Sequence, residues 1–483
     1  MKTGQICYLT IAQAAELIRG GELSPVELTQ AYLDRISLID PTLRTYITIS
    51  ADVALAQAHE AAAEIAQGRY RGPLHGIPIS YKDLIETAGI RTTASSRIYA
   101  DFIPEKNAAV VARLRESGAI TLGKATLNEF AFSGISEDDF IKAARNPWNQ
   151  QCPTGLSSSG SAAGVAAGLA MASIATDSGG SIRIPASYCG VSGLKPTYGL
   201  ISRTGVMPLS YSLDHVGTIA RTAQDTALLL ESLAGHDPQD LASSKQVVPA
   251  YSKLLTGPIR GLRIGICPQY MQQVGVEDRV WEAFQHALDE FRSLGMTLSE
   301  IRLPNFGYAP AANFTLLRIE GFRVHSGHLK EHRDKYGLSA FREIAVGGLL
   351  SASDYLRSQQ ARTLLSSELS RAFQGIDLLL IPSTPSSAAG GTYHLQPPLD
   401  QKVAKDDVSY VAPFDLTGTP ALSICCGFTP EGLPIGLQLI GRAFDEGTIL
   451  RVAHRYQGVT DFHRRKPPLE IAATASTPQR GSN

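Results

Sequence analysis

The stretch that decides the fold is "IATDSGGSIRIPASYCG" at residues 174–190. A short run of apolar and small residues leads into Asp177, as at the end of a buried strand, and the four residues 178–181 (Ser-Gly-Gly-Ser) follow with almost no side-chain bulk. Glycines let the backbone turn tightly and present consecutive N–H groups to a ligand. Pro185 indicates a helix start close by. The stretch therefore predicts a strand, a tight turn carrying a serine, and a helix.

Two further segments carry groups that a reactive serine needs. The apolar segment "GIPISYK" ends at Lys82, and the serine run "TGLSSSGSAAG" covers residues 154–164. A serine hydroxyl is a weak nucleophile until a base removes its proton, and none of the three segments contains a histidine. Lysine can act as the base where burial lowers its pKa. We therefore predict Ser181 as nucleophile and Lys82 as base, although each segment taken singly is more typical of a loop or turn.

Composition excludes several other classes of protein. The 483 residues carry 44 Lys plus Arg and 45 Asp plus Glu, so no charge excess favours nucleic acid or an acidic membrane as partner. No apolar run is long enough to span a bilayer, and the N-terminus lacks a signal peptide's apolar core. The six cysteines include no CxxC pair, which indicates small buried thiols rather than disulfides. We expect a cytoplasmic protein.

Strand-like and helix-like segments alternate along the chain, which predicts an α/β architecture. We expect one domain over 1–470 and a disordered tail over 471–483. The predicted helices lie within 9–39 (two helices broken at Gly20 and Gly21), 51–67, 108–117, 161–172, 277–294, 312–335, 351–373 and 444–457.

In order and spacing, "GIPISYKDL", "TGLSSSGSAAGVAAG" and "DSGGSIRIPA" resemble the amidase signature family of serine hydrolases. The resemblance covers most of residues 10–460 and is weakest over about 240–380, a divergent region expected to shape substrate binding. It implies a large mixed, twisted β-sheet covered by helices on both faces. It also implies a Ser-cisSer-Lys triad, in which Lys82 is the base, Ser157 bridges after a cis peptide bond, and Ser181 is acylated.

The resemblance implies roles for further residues, and it implies neither a cofactor nor a metal. The oxyanion hole would comprise the backbone of Ser178, Gly179 and Gly180 together with that of Ser181. Hydrogen bonds from Ser158, Asp177 and Arg183 would support it. Substrate would contact Ala131, Phe132, Gly134 and Ile135, and the aromatic or apolar side chains of Tyr198, Tyr211, Phe314, Leu349 and Tyr393 are candidates for lining the same pocket.

The resemblance implies two alternative functions. The first is a hydrolase that cleaves C–N bonds of small or aryl amides, with carbamates (urethanes) and esters as further substrates. Its expected partner is a small molecule, with no nucleic acid and no membrane, and the chain would be a monomer or homodimer. The alternative is the transamidating A-type subunit of a tRNA-dependent glutamine amidotransferase. Val408 stands where that subunit carries an acid, and "AFREIAVGG" (340–348) replaces its basic stretch, which favours the stand-alone amidase.

Three competing motifs are weaker. "GAITLGKA" (118–125) approaches a P-loop but has Ala125 where Ser or Thr would bind Mg²⁺, and it is typical of a strand. Ser192 and Lys195 match S-x-x-K without its companion motifs. The histidines at 325, 328 and 332 share one helical face, which more often is solvated than metal-binding.

Overall fold

The computed structural model describes residues 3–132, 139–389 and 407–469. Within these ranges the strands are β1 (Tyr46–Ile49), β2 (Pro78–Lys82), β3 (Ile120–Ala125), β4 (Ala172–Asp177), β5 (Ser192–Lys195), β6 (His215–Ala220), β7 (Arg263–Ile266), β8 (Thr297–Glu300), β9 (Leu378–Pro382), β10 (Ala421–Phe428) and β11 (Pro434–Ile440). They form one sheet in the order β1-β3-β2-β4-β6-β5-β10-β11-β9-β7-β8. The strands β3, β2 and β4 run parallel, as do β9, β7 and β8, and the strands between these two groups are antiparallel.

The α-helices of the described ranges are α1 (Thr3–Ile6), α2 (Ile11–Arg19), α3 (Pro25–Leu43), α4 (Ala51–Ala66), α5 (Ala109–Glu116), α6 (Ser159–Ala166), α7 (Arg183–Cys189), α8 (Ala223–Leu233), α9 (Tyr251–Leu254), α10 (Pro268–Val274), α11 (Asp278–Ser293), α12 (Ala309–Glu331), α13 (Leu338–Gly347), α14 (Ala352–Gly375), α15 (Ala412–Leu416) and α16 (Glu446–Val459). Helices cover both faces of the sheet, so the predicted α/β class and the mixed, helix-covered sheet are confirmed.

Burial differs between the centre and the edges of the sheet. Every residue of β2, β3 and β4 is buried, whereas the edge strands β1 and β8 are partly exposed. Strands that are covered on both faces read as continuous runs of apolar and small residues rather than as alternating ones. The segments next to the three motifs have this character, which is why they could be recognised as strands.

Most predicted elements agree with the structure to within a few residues. The break at Gly20 and Gly21 separates α2 from α3, and a capping box at Ser24 starts α3 as the Ser-Pro pair predicts. The strands β1, β5 and β6 and the helices α1, α8, α9, α10, α13 and α15 were not predicted, and α6 is shorter than expected. The single domain over 1–470 stays a prediction, and the tail at 471–483 lies outside the described residues.

The small residues of α6 let this helix pass close to other backbone segments. A Cβ on Gly160 would lie 2.5 Å from the carbonyl oxygen of Thr45 and 2.6 Å from the amide nitrogen of Thr126. Only glycine fits such an approach. The close packing places the start of α6, and the serines immediately before it, beneath the ends of β2 and β4. Over the part of the chain that the structure describes, no helix combines the length and the apolar character needed to cross a bilayer.

Candidate active site

Lys82 and the serine run meet at the carboxyl ends of two parallel strands. Lys82 is the last residue of β2, and β4 pairs with β2 in parallel, so the two strands end side by side. Lys82 Nζ lies 2.7 Å from Ser157 Oγ and 2.9 Å from Thr176 Oγ1. Its side chain has no exposed surface. The ammonium group therefore faces hydroxyl groups rather than water.

The environment of Lys82 favours its neutral form. Burial lowers the pKa of Lys82 from its ordinary value of 10.5 to about 7, although the negative charges of Asp177 and Asp214 oppose the change. No ion pair among the described residues includes Lys82. A substantial fraction of neutral amine at neutral pH is what a lysine needs to accept a proton.

Ser181 lies in the turn between β4 and α7, beside Ser157. The backbone N–H of Ser157 donates a hydrogen bond to Ser181 Oγ at 3.4 Å. Among the described residues no hydrogen bond joins the two serine hydroxyls directly, and none of the peptide bonds is cis. The resemblance implies a cis peptide bond between Leu156 and Ser157, whereas this bond is trans in the structure. The structure therefore brings Lys82, Ser157 and Ser181 together. The Lys82 ammonium contacts the Ser157 hydroxyl, and the Ser181 hydroxyl contacts the backbone N–H of Ser157 rather than its hydroxyl.

A buried guanidinium group organises the turn around Ser181. Arg183 donates to both carboxylate oxygens of Asp177, at 3.0 and 3.1 Å, and to Asp415 Oδ2 at 2.7 Å. Burial opposes ionisation of Asp177, but the charge and hydrogen bonds of Arg183 outweigh it and hold its pKa well below the ordinary value. Burial, together with the negative charge of Asp177, raises the pKa of Asp415. The contact with Asp415 lies outside the three motifs and was not predicted.

The backbone amides of the turn divide into two sets. The N–H groups of Gly180 and Ile182 donate to the carboxylate of Asp177, at 2.5 and 3.1 Å. Gly180 was predicted to serve the oxyanion hole, and in the observed arrangement its N–H donates to Asp177. Within the described ranges, the N–H groups of Ser178, Gly179 and Ser181 have no hydrogen-bond acceptor. These amides are left to receive a developing negative charge.

Gly180 nevertheless has to be glycine for conformational reasons. Its φ of +107° is in the region that residues with a side chain rarely adopt. A Cβ at this position would also lie 2.4 Å from Cγ2 of Val411. Gly180 thus shapes the turn while Asp177 holds its amide, and the adjacent Gly179 remains partly exposed.

Ser178 is held from two sides by residues that the sequence did not reveal. Its hydroxyl donates to Asp214 Oδ1 at 2.6 Å, and its carbonyl accepts from Nδ2 of Asn313 at 3.1 Å. Asp214 begins "DHVGTIARTAQD" (214–225), a further segment that resembles the amidase signature family, so the sequence contained a signal for it. Asn313 lies in α12, inside the divergent region, where no motif points to it.

The remaining predicted site residues occupy several places. Ser158 Oγ donates to the carbonyl oxygen of Thr176 at 3.1 Å, which ties the serine run to β4. Ala131 and Phe132 are buried, and a Cβ on Gly321 of α12 would lie 2.5 Å from Cζ of Phe132. Gly134 and Ile135, and the pocket candidate Tyr393, lie outside the described residues. The pocket candidate Leu349 is 86% exposed, so it does not line a pocket.

An apolar cluster borders the turn on the side of Gly180. We call it the apolar wall; it comprises Ile184, Tyr188, Ala388, Val408 and Val411, with Cys152, Leu156 and Phe314 packed against it. On the other side a cavity of about 300 Å³ is lined by Leu84, Thr176, Met207, Tyr211 and Asp214, among others. The site is thus apolar where it meets the wall and polar where it meets the lysine.

The competing motifs have structural roles. Lys124 of the P-loop-like segment lies within β3, and its ammonium donates to Thr92 Oγ1 at 2.7 Å. Ser192 and Lys195 stand three apart on β5, so their side chains point to opposite faces of the sheet. His325 and His328 contact tyrosine hydroxyls, at 2.9 and 3.2 Å. In the described ranges no three His, Cys, Asp or Glu side chains are grouped to hold a metal ion.

A mixed sheet that brings Lys82, Ser157 and Ser181 together at its strand ends is the arrangement that the resemblance to the amidase signature family implies. The family model described as Amidase matches residues 27–450, and the chain belongs to this family. Its members act on carbon–nitrogen bonds, and this chain is an enzyme of that family.

Individual relatives refine the comparison. The chain is 42% identical to the A-type subunit of the glutamyl-tRNA(Gln) amidotransferase of Roseiflexus sp. (strain RS-1), covering 96% of this chain and 99% of that one. Among solved structures it resembles the peptide amidase of Stenotrophomonas maltophilia (TM-score 0.82, 32% identity, 95% and 98% of the two chains). It also resembles the A-type subunit of the glutamyl-tRNA(Gln) amidotransferase of Thermotoga maritima (TM-score 0.77, 30% identity, 93% and 94%).

These relatives contradict one expectation from the sequence. A monomer or homodimer acting on a small molecule, without nucleic acid, was expected. Relatives that match along almost their whole length are named as one subunit of an amidotransferase for glutamyl-tRNA(Gln). The expectation is therefore wrong; it depended on the near-zero net charge, which reports the sum of charges and not their distribution over the surface.

Proposed function

We propose that the chain cleaves the C–N bond of a carboxamide through an acyl-enzyme on Ser181. The observation that carries this proposal is the fully buried ammonium of Lys82 at 2.7 Å from Ser157 Oγ, next to Ser181. Ser181 Oγ attacks the carbonyl carbon, and its proton passes through Ser157 Oγ to neutral Lys82. The amides of Gly179 and Ser181 stabilise the oxyanion of the tetrahedral intermediate.

Collapse of that intermediate breaks the C–N bond. The proton that Lys82 took up returns through Ser157 to the leaving nitrogen, so the amine departs neutral. The acyl group stays on Ser181 Oγ as an ester. Water then attacks this ester by the same relay, which releases the acid and restores the hydroxyl. Ser158, Asp177 and Arg183 hold the turn during both steps.

For the nitrogen donor we propose glutamine, with the chain as the A-type subunit of a tRNA-dependent amidotransferase. The support is the identity of 42% with a relative of that name over 96% of this chain, together with the similar structure of the Thermotoga maritima relative. In this role the chain would release ammonia from the side-chain amide of glutamine, for transfer to glutamyl-tRNA(Gln) on a partner subunit.

Hydrolysis of small or aryl amides, with carbamates and esters as further substrates, is a second candidate that one observation favours. Val408 is 7% exposed and lies in the apolar wall beside Val411. An apolar wall at this place suits an apolar acyl group and offers no charge to the α-ammonium group of glutamine. The 32% identity with a peptide amidase supports the same candidate.

One experiment separates the two candidates and tests the shared chemistry. The isolated chain is assayed with a p-nitroanilide, an ester, a carbamate and glutamine, and Ser181→Ala serves as the blank. Glutaminase activity that rises strongly when the partner subunits of a relative are added supports the amidotransferase. Efficient turnover of the anilide by the isolated chain, with no glutaminase, supports the hydrolase. Equal activity of wild type and Ser181→Ala would exclude both.

A further inference from the structure

We propose that a second cavity, separate from the serine site, binds a small phosphate-bearing anion. The cavity has a volume of about 660 Å³ and lies between α2, α8, α16 and the segment 463–466. It shares no lining residue with the Lys82–Ser157–Ser181 relay. Its volume is in the range of sites that hold a small organic ligand such as a nucleotide.

Positive charge dominates the described lining of this cavity. Arg221, Arg464, Arg465 and Lys466 contribute four cations, and Glu16 is the one acidic residue among the described residues that line it. Part of the charge of Arg465 is offset by Asp461 at 3.7 Å. The net excess gives the cavity a potential that attracts anions, and guanidinium groups match the oxygens of phosphate especially well.

Arg221 is the observation that distinguishes this cavity from an ordinary basic surface. It is only 7% exposed, and among the described residues its guanidinium donates to neutral acceptors alone: the carbonyl oxygens of Val165, Cys7 and Leu9, at 2.9, 2.6 and 3.4 Å, and the hydroxyl of Tyr32 at 3.2 Å. It takes part in no ion pair with a carboxylate of the described residues, and its Nε has no hydrogen-bond partner there. A buried charge is costly unless it is compensated, so an anion bound next to Arg221 would offset that cost.

Two of the four cations of the cavity contact the same aromatic ring. Lys466 Nζ lies 4.4 Å from the ring centroid of Tyr8, and Cζ of Arg221 lies 5.1 Å from it. Cation–π contacts of this kind fix long, flexible side chains without neutralising them. Lys466 and Arg221 are therefore positioned before a ligand arrives, which reduces the entropy lost on binding.

The test is a titration of the full chain with inorganic pyrophosphate. Binding is measured by isothermal titration calorimetry at low and at physiological salt. We expect saturable binding of one molecule per chain. The double variant Arg464→Gln/Lys466→Gln should bind at least about tenfold more weakly, the effect of losing one charge-assisted hydrogen bond. The control Arg292→Gln/Arg455→Gln removes the same charge at exposed positions outside the cavity and should keep the wild-type affinity.

A parallel titration with AMP identifies the source of the phosphate. Tighter binding of AMP than of pyrophosphate assigns the cavity to a nucleotide, and the reverse assigns it to an inorganic phosphate. The proposal is overturned if pyrophosphate and AMP do not saturate, if both double variants weaken binding equally, or if only an RNA oligonucleotide binds. Because binding is measured without turnover, these results do not depend on whether the amide-cleaving function is correct.

Discussion

Lys82 and Lys124 stand on the neighbouring parallel strands β2 and β3, and both ammonium groups are fully buried. Burial lowers the pKa of both, to about 7 for Lys82 and about 8 for Lys124. The register pairs Lys124 with Tyr81 rather than with Lys82. Because directly paired residues point to the same face and successive residues to opposite faces, the two lysines face opposite sides of the sheet.

Because Lys124 pairs with the residue before Lys82, the two lysines project from opposite faces of the sheet and meet different partners. Lys124 Nζ has the carboxylate of Asp83 at 3.9 Å and also donates to Thr92. Lys82 Nζ contacts the hydroxyls of Ser157 and Thr176 and forms no ion pair in the described ranges. Burial by itself thus lowers a lysine pKa without making the lysine a catalytic base. In the proposed mechanism, the contact of Lys82 with the hydroxyl of Ser157, next to Ser181, is what allows this lysine to act as the base.

The largest effect on activity is expected from replacing Ser181, the proposed nucleophile that Lys82 serves. Ser181→Ala should lower kcat/KM for a p-nitroanilide by roughly 10⁴-fold or more, because no acyl-enzyme can form. It should also abolish labelling by a fluorophosphonate. Ser173→Ala is a matched control, since Ser173 is a buried serine of β4 whose hydroxyl has no partner in the described ranges. Labelling that persists in Ser181→Ala would refute the nucleophile.

Replacing each lysine tests the comparison directly. Lys82→Ala should cost roughly 10³-fold in kcat, with partial recovery at high pH, because the base is lost. Lys124→Met should leave kcat nearly unchanged and instead lower the free energy of unfolding by about 3 kcal/mol, because Asp83 loses its buried cation. Enzyme kinetics and urea unfolding of both variants measure the two effects. If the two variants behaved alike in both measurements, the comparison would fail.

The pH profile tests the protonation state that the relay requires. A lysine accepts a proton only when it is neutral, which holds above its pKa. With the pKa of Lys82 lowered to about 7, kcat/KM should rise about tenfold per pH unit below this value and level off above it. A wild-type profile that rises only near pH 10 would show that Lys82 keeps its ordinary pKa. The measurement is an initial-rate series in buffers of constant ionic strength.

The smallest effect is expected at Asn313, which supports the turn without contacting the relay. Asn313→Ala removes the hydrogen bond to the carbonyl oxygen of Ser178 and should lower kcat by about tenfold with little change in KM, because the oxyanion amides lose a fixed position. Ser326→Ala is the control, because Ser326 is a half-buried residue of the same helix whose hydroxyl, among the described residues, donates only to the carbonyl oxygen of Arg323. An unchanged kcat in Asn313→Ala would remove Asn313 from the positioning residues.

Residues near one another in sequence were well predicted, and distant contacts were not. The strand ending at Lys82 and the helix start after Ser181 follow from local patterns of apolar residues, glycine and proline. By contrast, Asp415 reaches Arg183 across 232 positions of the chain, and Asn313 reaches Ser178 across 135. A single sequence contains no periodicity that links such positions.

The sequence by itself determined the α/β class, the family, and which lysine and serines come together, because short motifs specify turns and strand ends locally. Only the tertiary structure decided that the amide of Gly180 is engaged by Asp177, that Lys82 faces hydroxyls while Lys124 faces a carboxylate, and that cations gather around Tyr8. These outcomes depend on strand register and on packing between distant elements. A shift of one residue in register moves every side chain of a strand to the opposite face of the sheet.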